Sequence, residues 1–232
     1  MRKLPIKDSL AIVQQQLKLA ANNSGRSPEE IKLIAVSKTK PAAMINEALL
    51  SNHTAFGENM IQEAIKKMSA FNYIDNIEWH MIGHLQKNKV KFCPGNFHWI
   101  HSIDSTELAK KLEESCATKQ QNINVLIQVN LSQEKSKFGV QKLSELYKLA
   151  EKLHAGHWIK LRGLMTIPEP DLGEASTRKI FEKVRIWKEQ LRDELGAPEI
   201  NELSMGMTAD FKWAIQEGAT MIRLGTAIFG PR

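Results

Sequence analysis

Lys32-Leu33-Ile34-Ala35-Val36-Ser37-Lys38-Thr39-Lys40-Pro41 is the stretch on which the reading of the chain turns. Four consecutive apolar residues bounded by polar ones suit a short strand buried on both faces, the pattern of a parallel sheet. Pro41 then enters a helix that carries Met44, Ala48 and Leu49. Working outward, the same strand-then-helix unit recurs, with further strands predicted at 54–57, 77–82, 99–103, 124–130, 159–164, 199–203 and 220–224 and helical patterns clearest at 105–118, 140–154, 174–195 and 208–217. Eight strands alternating with helices in a chain of 232 residues predict an α/β fold, a closed (β/α)8 TIM barrel. The rival, an open doubly wound sheet, usually has fewer strands.

Ahead of the first strand, Leu10, Val13, Leu17, Ala20 and Ala21 fall at helical spacing and predict an N-terminal helix over 6–22. Asn22-Asn23-Ser24-Gly25 stops it, and Ser27-Pro28-Glu29-Glu30 reads as a short capped turn. No linker or low-complexity tract divides the chain, so 1–232 is read as a single domain, with 1–30 a helical segment packed on the barrel.

With 42% apolar and 25% charged residues, the composition excludes a disordered chain, a collagen-like repeat and a disulfide-stapled miniprotein. The net charge of +6 suits an anionic small ligand and would equally tolerate weak nucleic-acid contact. Two cysteines, Cys93 and Cys116, without a CxxC partner, fit a reducing compartment. The N-terminus carries no signal-peptide pattern and no apolar run is long enough to cross a bilayer, so the expectation is a soluble cytoplasmic protein.

In such barrels the chemistry sits where strands end at the C-terminal face. That singles out Lys38, Glu58 and Asn59, Gly83 and His84, Asp104, Asn130, Met165 and Thr166, Ser204-Met205-Gly206, and Gly225 and Thr226. A lysine ending an apolar strand points into the barrel mouth, where partial burial lowers its pKa and frees the amine to attack an aldehyde. The plainer alternative is a solvated lysine beside Lys40. Gly225-Thr226 and Ser204-Met205-Gly206-Met207-Thr208, after the last two strands, match the phosphate-binding corner of this fold, or else form two tight βα turns. Arg223, inside the last strand, needs a carboxylate partner or an acceptor such as the nitrogen of a bound heterocycle.

The seven histidines do not make a metal site by spacing: His80 and His84 run from strand into loop, no acidic ligand joins them, and no metal is expected. Lys87, Lys89 and Lys91 read as the solvated first turn of a helix, since no aromatic platform accompanies them, and no nucleic-acid partner is expected. P-loop, dinucleotide and nucleophile-elbow motifs are absent from the sequence.

Several segments in order carry a family resemblance. They include Ile34-Ala35-Val36-Ser37-Lys38-Thr39-Lys40-Pro41, Phe56-Gly57-Glu58-Asn59, Trp79-His80-Met81-Ile82-Gly83-His84-Leu85-Gln86, Leu161-Arg162-Gly163-Leu164-Met165-Thr166, Leu203-Ser204-Met205-Gly206 and Arg223-Leu224-Gly225-Thr226. Over residues 31 to 232 the chain closely resembles the pyridoxal phosphate (PLP) homeostasis proteins, related to the N-terminal domain of alanine racemase. The resemblance implies a fold-type III PLP barrel in which Lys38 holds PLP covalently as a Schiff base. It implies that Ser204, Gly225 and Thr226 bind the phosphate with amides near Met205, that Arg223 faces the ring nitrogen, and that Asn59, His80 and Met165 line the ring pocket. Met60-Ile61 stands where the family pattern has an aromatic residue, and Thr208 where serine is usual.

An arginine beside the ring nitrogen disfavours its protonation and weakens the ring as an electron sink. The chain also ends at Arg232, which leaves no room for the second domain that racemases use to complete their site. The expectation is therefore a monomeric carrier or buffer of PLP that influences amino-acid and keto-acid balance and hands the cofactor to PLP-dependent apoenzymes, without robust turnover. The alternative is a single-domain PLP enzyme with weak racemase activity.

Overall fold

The computed structural model describes residues 4–71, 76–131 and 138–231. The readings of Met1-Arg2-Lys3 and of Arg232 lie outside the described residues. Eight strands, β1 (Lys32–Val36), β2 (Ala55–Glu58), β3 (Glu78–Met81), β4 (Trp99–Ile103), β5 (Ile123–Val129), β6 (Ile159–Thr166), β7 (Glu202–Ser204) and β8 (Met221–Leu224), pair in parallel in chain order. β8 returns to β1, with Ile34 opposite Arg223, and the sheet closes into a (β/α)8 barrel. Around it lie α1 (Ile6–Asn23), α2 (Ala42–Leu49), α3 (Ile61–Met68), α4 (Thr106–Lys119), α5 (Leu143–His154), α6 (Gly173–Leu195), α7 (Phe211–Gln216) and α8 (Thr226–Phe229). None of the described helices is long and apolar enough to cross a membrane.

The two-residue period of a strand decides what faces inward. On β1, Leu33 and Ala35 join the large apolar layer under the helices, while Ile34 packs inside the barrel with Trp99, Leu126, Met165 and Met221. The same alternation on β8 puts Ile222 and Leu224 outside and Met221 inside. Arg223 is therefore in phase with the interior, as are Lys32 and Lys38 with Ile34. The interior thus holds an apolar cluster and, beside it, buried polar and ionisable side chains such as His80, His101, Ser204 and Arg223.

α1 buries Ile6, Leu10, Val13, Leu17, Ala20 and Ala21 against α8, α7 and α2. It stops where Gly25 takes φ +66°, letting Arg26 N–H reach Ala21 O and Gly25 N–H reach Asn22 O. Arg26 then donates to Ile215 O and Ala219 O, which ties this segment to the end of α7.

Three expectations shift. The seventh strand, predicted at 199–203, lies at Glu202–Ser204, because Gly196 at φ +58° and the bonds Ala197 N–H to Arg192 O and Ile200 N–H to Ala197 O spend the preceding residues on a turn. The lysine run, read as the first turn of a helix, is a stretch of 3-10 helix over Lys87–Phe92. α3 adds a helix absent from the predicted elements, although Ile61, Ala64, Ile65 and Met68 fall at helical spacing. β6 and β7 approach so closely that a Cβ on Gly163 would sit 1.8 Å from Glu202 O, which reserves this position for glycine.

Candidate functional site

A cleft of about 620 Å³ opens where the strands end at their C-terminal side. Of the nine residues that the resemblance assigns to the cofactor, five line it, Lys38, Asn59, Arg223, Gly225 and Thr226, as do the strand-end residues Gly83, His84 and Asn130. Four others, His80, Met165, Ser204 and Met205, are fully buried beneath it.

Lys38 follows β1 by two residues and is half-buried. Both peptide groups flanking its Cα are held by side chains. Ser37 O accepts from Lys67 Nζ at 2.7 Å, and Thr39 N–H donates to Glu63 Oε1 at 2.6 Å. Lys67 Nζ also lies 2.8 Å from Glu58 Oε1 and 2.6 Å from Glu63 Oε1, while Ser37 Oγ donates to Glu58 Oε1 at 2.6 Å. Thr39 takes φ +64°, a conformation that a β-branched residue adopts only under constraint. Burial pushes the Glu58 carboxyl above its usual range against the pull of Lys67 and Ser37. Burial also acts on Glu63, but its bonds to Lys67 and Thr39 outweigh it and hold that carboxyl below the usual range.

Arg223 comes from β8, the neighbour of β1, and is 3% exposed. Its Nη1 donates to Ser204 Oγ at 2.5 Å and its Nη2 to Thr166 O at 2.9 Å, so the guanidinium plane is fixed where it meets the cleft. Burial lowers its pKa to about 10, against the opposing charge of Asp210. Ser204 Oγ is also 2.8 Å from His101 Nδ1, and Met205 N–H donates to Met221 O at 3.1 Å, so both groups are engaged within the barrel.

Gly225 and Thr226 form one wall, and Met207, Thr208 and Ala209 line the cleft after β7. The Gly225 backbone passes close to β1: a Cβ there would meet Val36 O at 3.3 Å. Met207 N–H donates to Asp210 Oδ1 at 2.6 Å, and Lys40 Nζ donates to Gly230 O and Pro231 O, fixing the segments before α7 and after α8. On the opposite rim the His84 ring stacks on Phe138 with centroids 3.5 Å apart. A Cβ on Gly83 would lie 2.4 Å from Asn59 O, so the missing side chain is what lets Asn59 sit at the cleft. Among the described residues, no cluster of three or more His, Cys, Asp or Glu side chains is arranged to hold a metal ion.

Sequence reasoning did not find Lys67, Glu63, His101 or Phe138. Lys67 and Glu63 lie on α3, an eight-residue helix whose charged positions give no sign in sequence of which are buried. His101 was visible only as one of seven histidines, and no pattern marks Phe138.

Comparison with known proteins agrees with this arrangement. Residues 9–232 match the family model of the alanine racemase N-terminal domain. A pyridoxal phosphate homeostasis protein of Haemophilus influenzae is 42% identical over 228 residues, which cover 98% of this chain and 96% of the relative. That of Escherichia coli K12 is 42% identical over 229 residues, covering 98% and 97%. PipY of Synechococcus elongatus PCC7942, solved with PLP bound, superposes with a TM-score of 0.87 at 35% identity, over 97% of this chain and 100% of PipY. The chain belongs to the alanine racemase N-terminal domain family and, among its members, to the pyridoxal phosphate homeostasis proteins.

Proposed function

We propose that this protein binds PLP in the cleft above the barrel and serves the homeostasis of that cofactor inside the cell. One observation carries the reading: a half-buried lysine amine, a buried guanidinium and a glycine-threonine corner converge on one cleft. The donor set fits the group. PLP brings an aldehyde, a pyridine nitrogen and a phosphate dianion, which match a primary amine, a planar donor and an anion-accepting corner in turn. The cleft volume of about 620 Å³ lies within the range of small-molecule sites.

Lys38 Nζ is assigned to the covalent bond with the cofactor's aldehyde, losing one water as the carbon–nitrogen bond forms. Arg223 is assigned to the ring nitrogen, and Gly225 and Thr226 to the phosphate. Asn59 is assigned to the ring edge, and Ser204, Met205, His80 and Met165 to the layer that supports these groups from below. When bound, the cofactor supplies a reactive carbonyl and a ring that accepts electron density. Arg223 disfavours a proton on that ring, because the buried guanidinium is itself cationic. Holding and releasing the cofactor is thereby favoured over turnover, and the names of the relatives support the same reading. We further assign the protein to the cytoplasm as a monomer that supplies PLP-dependent apoenzymes. The two cysteines, both free and buried, support a reducing compartment.

The test is borohydride reduction of the PLP-loaded protein followed by peptide mapping. A pyridoxyl adduct on Lys38, absent from Lys38→Ala, is expected. An adduct spread over other lysines, or no visible absorbance band on adding PLP, overturns the assignment. Racemisation of alanine by the wild type above the Lys38→Ala background would turn the reading toward a weak enzyme.

A further inference from the structure

Under the cleft, a line of polar side chains crosses the barrel interior from Arg223 toward the opposite mouth. Arg223 Nη1 is 2.5 Å from Ser204 Oγ, Ser204 Oγ is 2.8 Å from His101 Nδ1, and His101 Nε2 is 2.9 Å from His80 Nδ1. His80 Nε2, which has no aligned hydrogen-bond acceptor, comes within 2.7 Å of Glu78 Oε1. Glu78 in turn accepts from Lys32 Nζ at 2.6 and 3.0 Å. His80, His101 and Ser204 are 0% exposed, whereas the Lys32 and Glu78 side chains are 37% and 30% exposed at the N-terminal end of the strands.

The two ends fix the protons between them. A guanidinium only donates, so Ser204 Oγ accepts from Arg223. Serine has a second lone pair, so this end alone leaves His101 either tautomer. The other end decides. Glu78 is held ionised, with a pKa of about 2, because contacts with His80 and Lys32 outweigh its burial. An ionised carboxylate only accepts, so the proton of His80 stands on Nε2 and its Nδ1 carries the lone pair. His101 then donates from Nε2, its Nδ1 accepts the Ser204 hydroxyl proton, and every hydrogen bond between Arg223 and His80 points one way, with Glu78 closing the line through its 2.7 Å ionic contact with His80 Nε2. Above neutral pH neither imidazole carries a charge, since burial lowers both pKa values, against the pull of Glu78 at His80 and most strongly at His101, which also faces Arg223. The remaining groups around the line are Lys32, His98 and Asp210, with Trp99 stacked on His80 at 5.9 Å.

We propose that Glu78, His80 and His101 are positioning residues: a one-way hydrogen-bond relay that holds the Arg223 fork through Ser204 and balances its charge from the far mouth of the barrel. The relay belongs to the protein without any ligand. Its effect on PLP rests on the function proposed above.

Two measurements separate these. In ligand-free, 15N-labelled protein, long-range 1H–15N spectra are expected to show His80 and His101 as neutral Nε2–H tautomers at about pH 8. An Nδ1–H tautomer or an imidazolium at either ring overturns the relay, whether or not the protein binds PLP. In Glu78→Gln, His101 is expected to become a mixture of tautomers, because an amide at position 78 no longer dictates the direction. A single Nε2–H form there overturns the long-range coupling.

PLP dissociation constants from the visible band are then compared for wild type, Glu78→Gln, His101→Asn and the double variant. Each single change is expected to weaken binding by about three- to tenfold, the effect of one hydrogen bond, with the double no worse than the worse single. Unchanged affinities, or losses that multiply, refute the positioning role. Should a variant not fold, the wild-type tautomers still decide. Failure of the wild type to bind PLP overturns the proposed function and leaves the relay to the spectra.

Discussion

Replacing Lys67 by methionine keeps an apolar stem of similar length and removes the ammonium that grips the Lys38 segment. In the wild type that ammonium bonds Ser37 O, both Glu58 oxygens and Glu63, from a side chain only 9% exposed. Without it, Glu58, at 0% exposure, keeps only the Ser37 hydroxyl. Breaking one partner out of a buried ion pair costs about 3–5 kcal/mol, because the other charge stays buried and uncompensated. The carboxyl escapes this cost by taking up a proton, which sets the pH dependence. Its folded pKa already lies above the usual value, and loss of Lys67 moves it further up. A carboxyl with a raised folded pKa contributes its stability below the unfolded value, near about 4.3, and loses it as pH rises through the folded value.

The deficit of Lys67→Met is therefore expected to be small at pH 5 and near its full size at pH 8. Urea denaturation of wild type, Lys67→Met, Glu58→Gln and the double variant at both pH values measures it. Glu58→Gln is expected to recover most of the loss in the Lys67→Met background, since no buried charge then remains to be stranded. A deficit below about 1 kcal/mol, a deficit that does not change with pH, or a double variant as unstable as the sum of the singles would refute the reasoning. Because Ser37 O loses its donor in the same change, the fraction of PLP that borohydride fixes to Lys38 is expected to fall in parallel.

Other perturbations follow from single contacts. Gly83→Ala drives a Cβ to 2.4 Å from Asn59 O and 2.8 Å from Asn59 Cα, both backbone atoms. It is expected to cost about 1–3 kcal/mol in denaturant melts and to weaken PLP binding by displacing Asn59; an unaltered variant would place the Gly83 turn elsewhere. Cys93 and Cys116 are buried, and desolvation pushes both thiols up to about 12, so neither should react with a disulfide reagent at pH 8 until urea unfolds the chain. Rapid labelling of the native protein would contradict their burial. Glu78, with a folded pKa of about 2, contributes stability above the unfolded value and loses it as pH falls toward 2. The stability gap between wild type and Glu78→Gln is accordingly expected to close in acid melts below about pH 4; a gap that stays constant would mean that the Glu78 charge is not what the barrel uses.

The barrel was legible because a parallel strand buried on both faces leaves a compact apolar run, and Leu33 to Val36 is such a run. The strand-end rule then brought Lys38, Asn59, Gly225 and Thr226 to the cleft. It reads position along a strand, however, and not the commitments of each polar atom. Ser204 ends β7 and Met205 follows it, yet the hydroxyl of one and the amide of the other are engaged inside the barrel. His80 and His101 are visible as strand histidines, but their contact, 21 residues apart in sequence, follows from the register that sets His80 beside Trp99. The bond from His101 to Ser204 spans 103 residues, beyond any local pattern. Lys67 escaped notice because a buried lysine on a short helix looks, in sequence, like any solvated one.

Lys38 and Arg223 enter the cleft from adjacent strands, and each is secured by a separate buried polar network. Such networks are poor stabilisers: desolvating charges is expensive, and apolar residues of similar volume often hold a core as well or better. The interior shows that alternative in the same barrel, where Ile34, Trp99, Leu126, Met165 and Met221 form a buried apolar cluster. The polar part has to be explained by what it does at the cleft. A ligand that meets an amine and a guanidinium already fixed in place spends little of its binding energy on ordering side chains. Under the function proposed above, a site set in advance by the barrel lets the cofactor come and go without rearrangement of its fixed points. The stability given up in the core and the readiness of the cleft are then two consequences of one arrangement of charges.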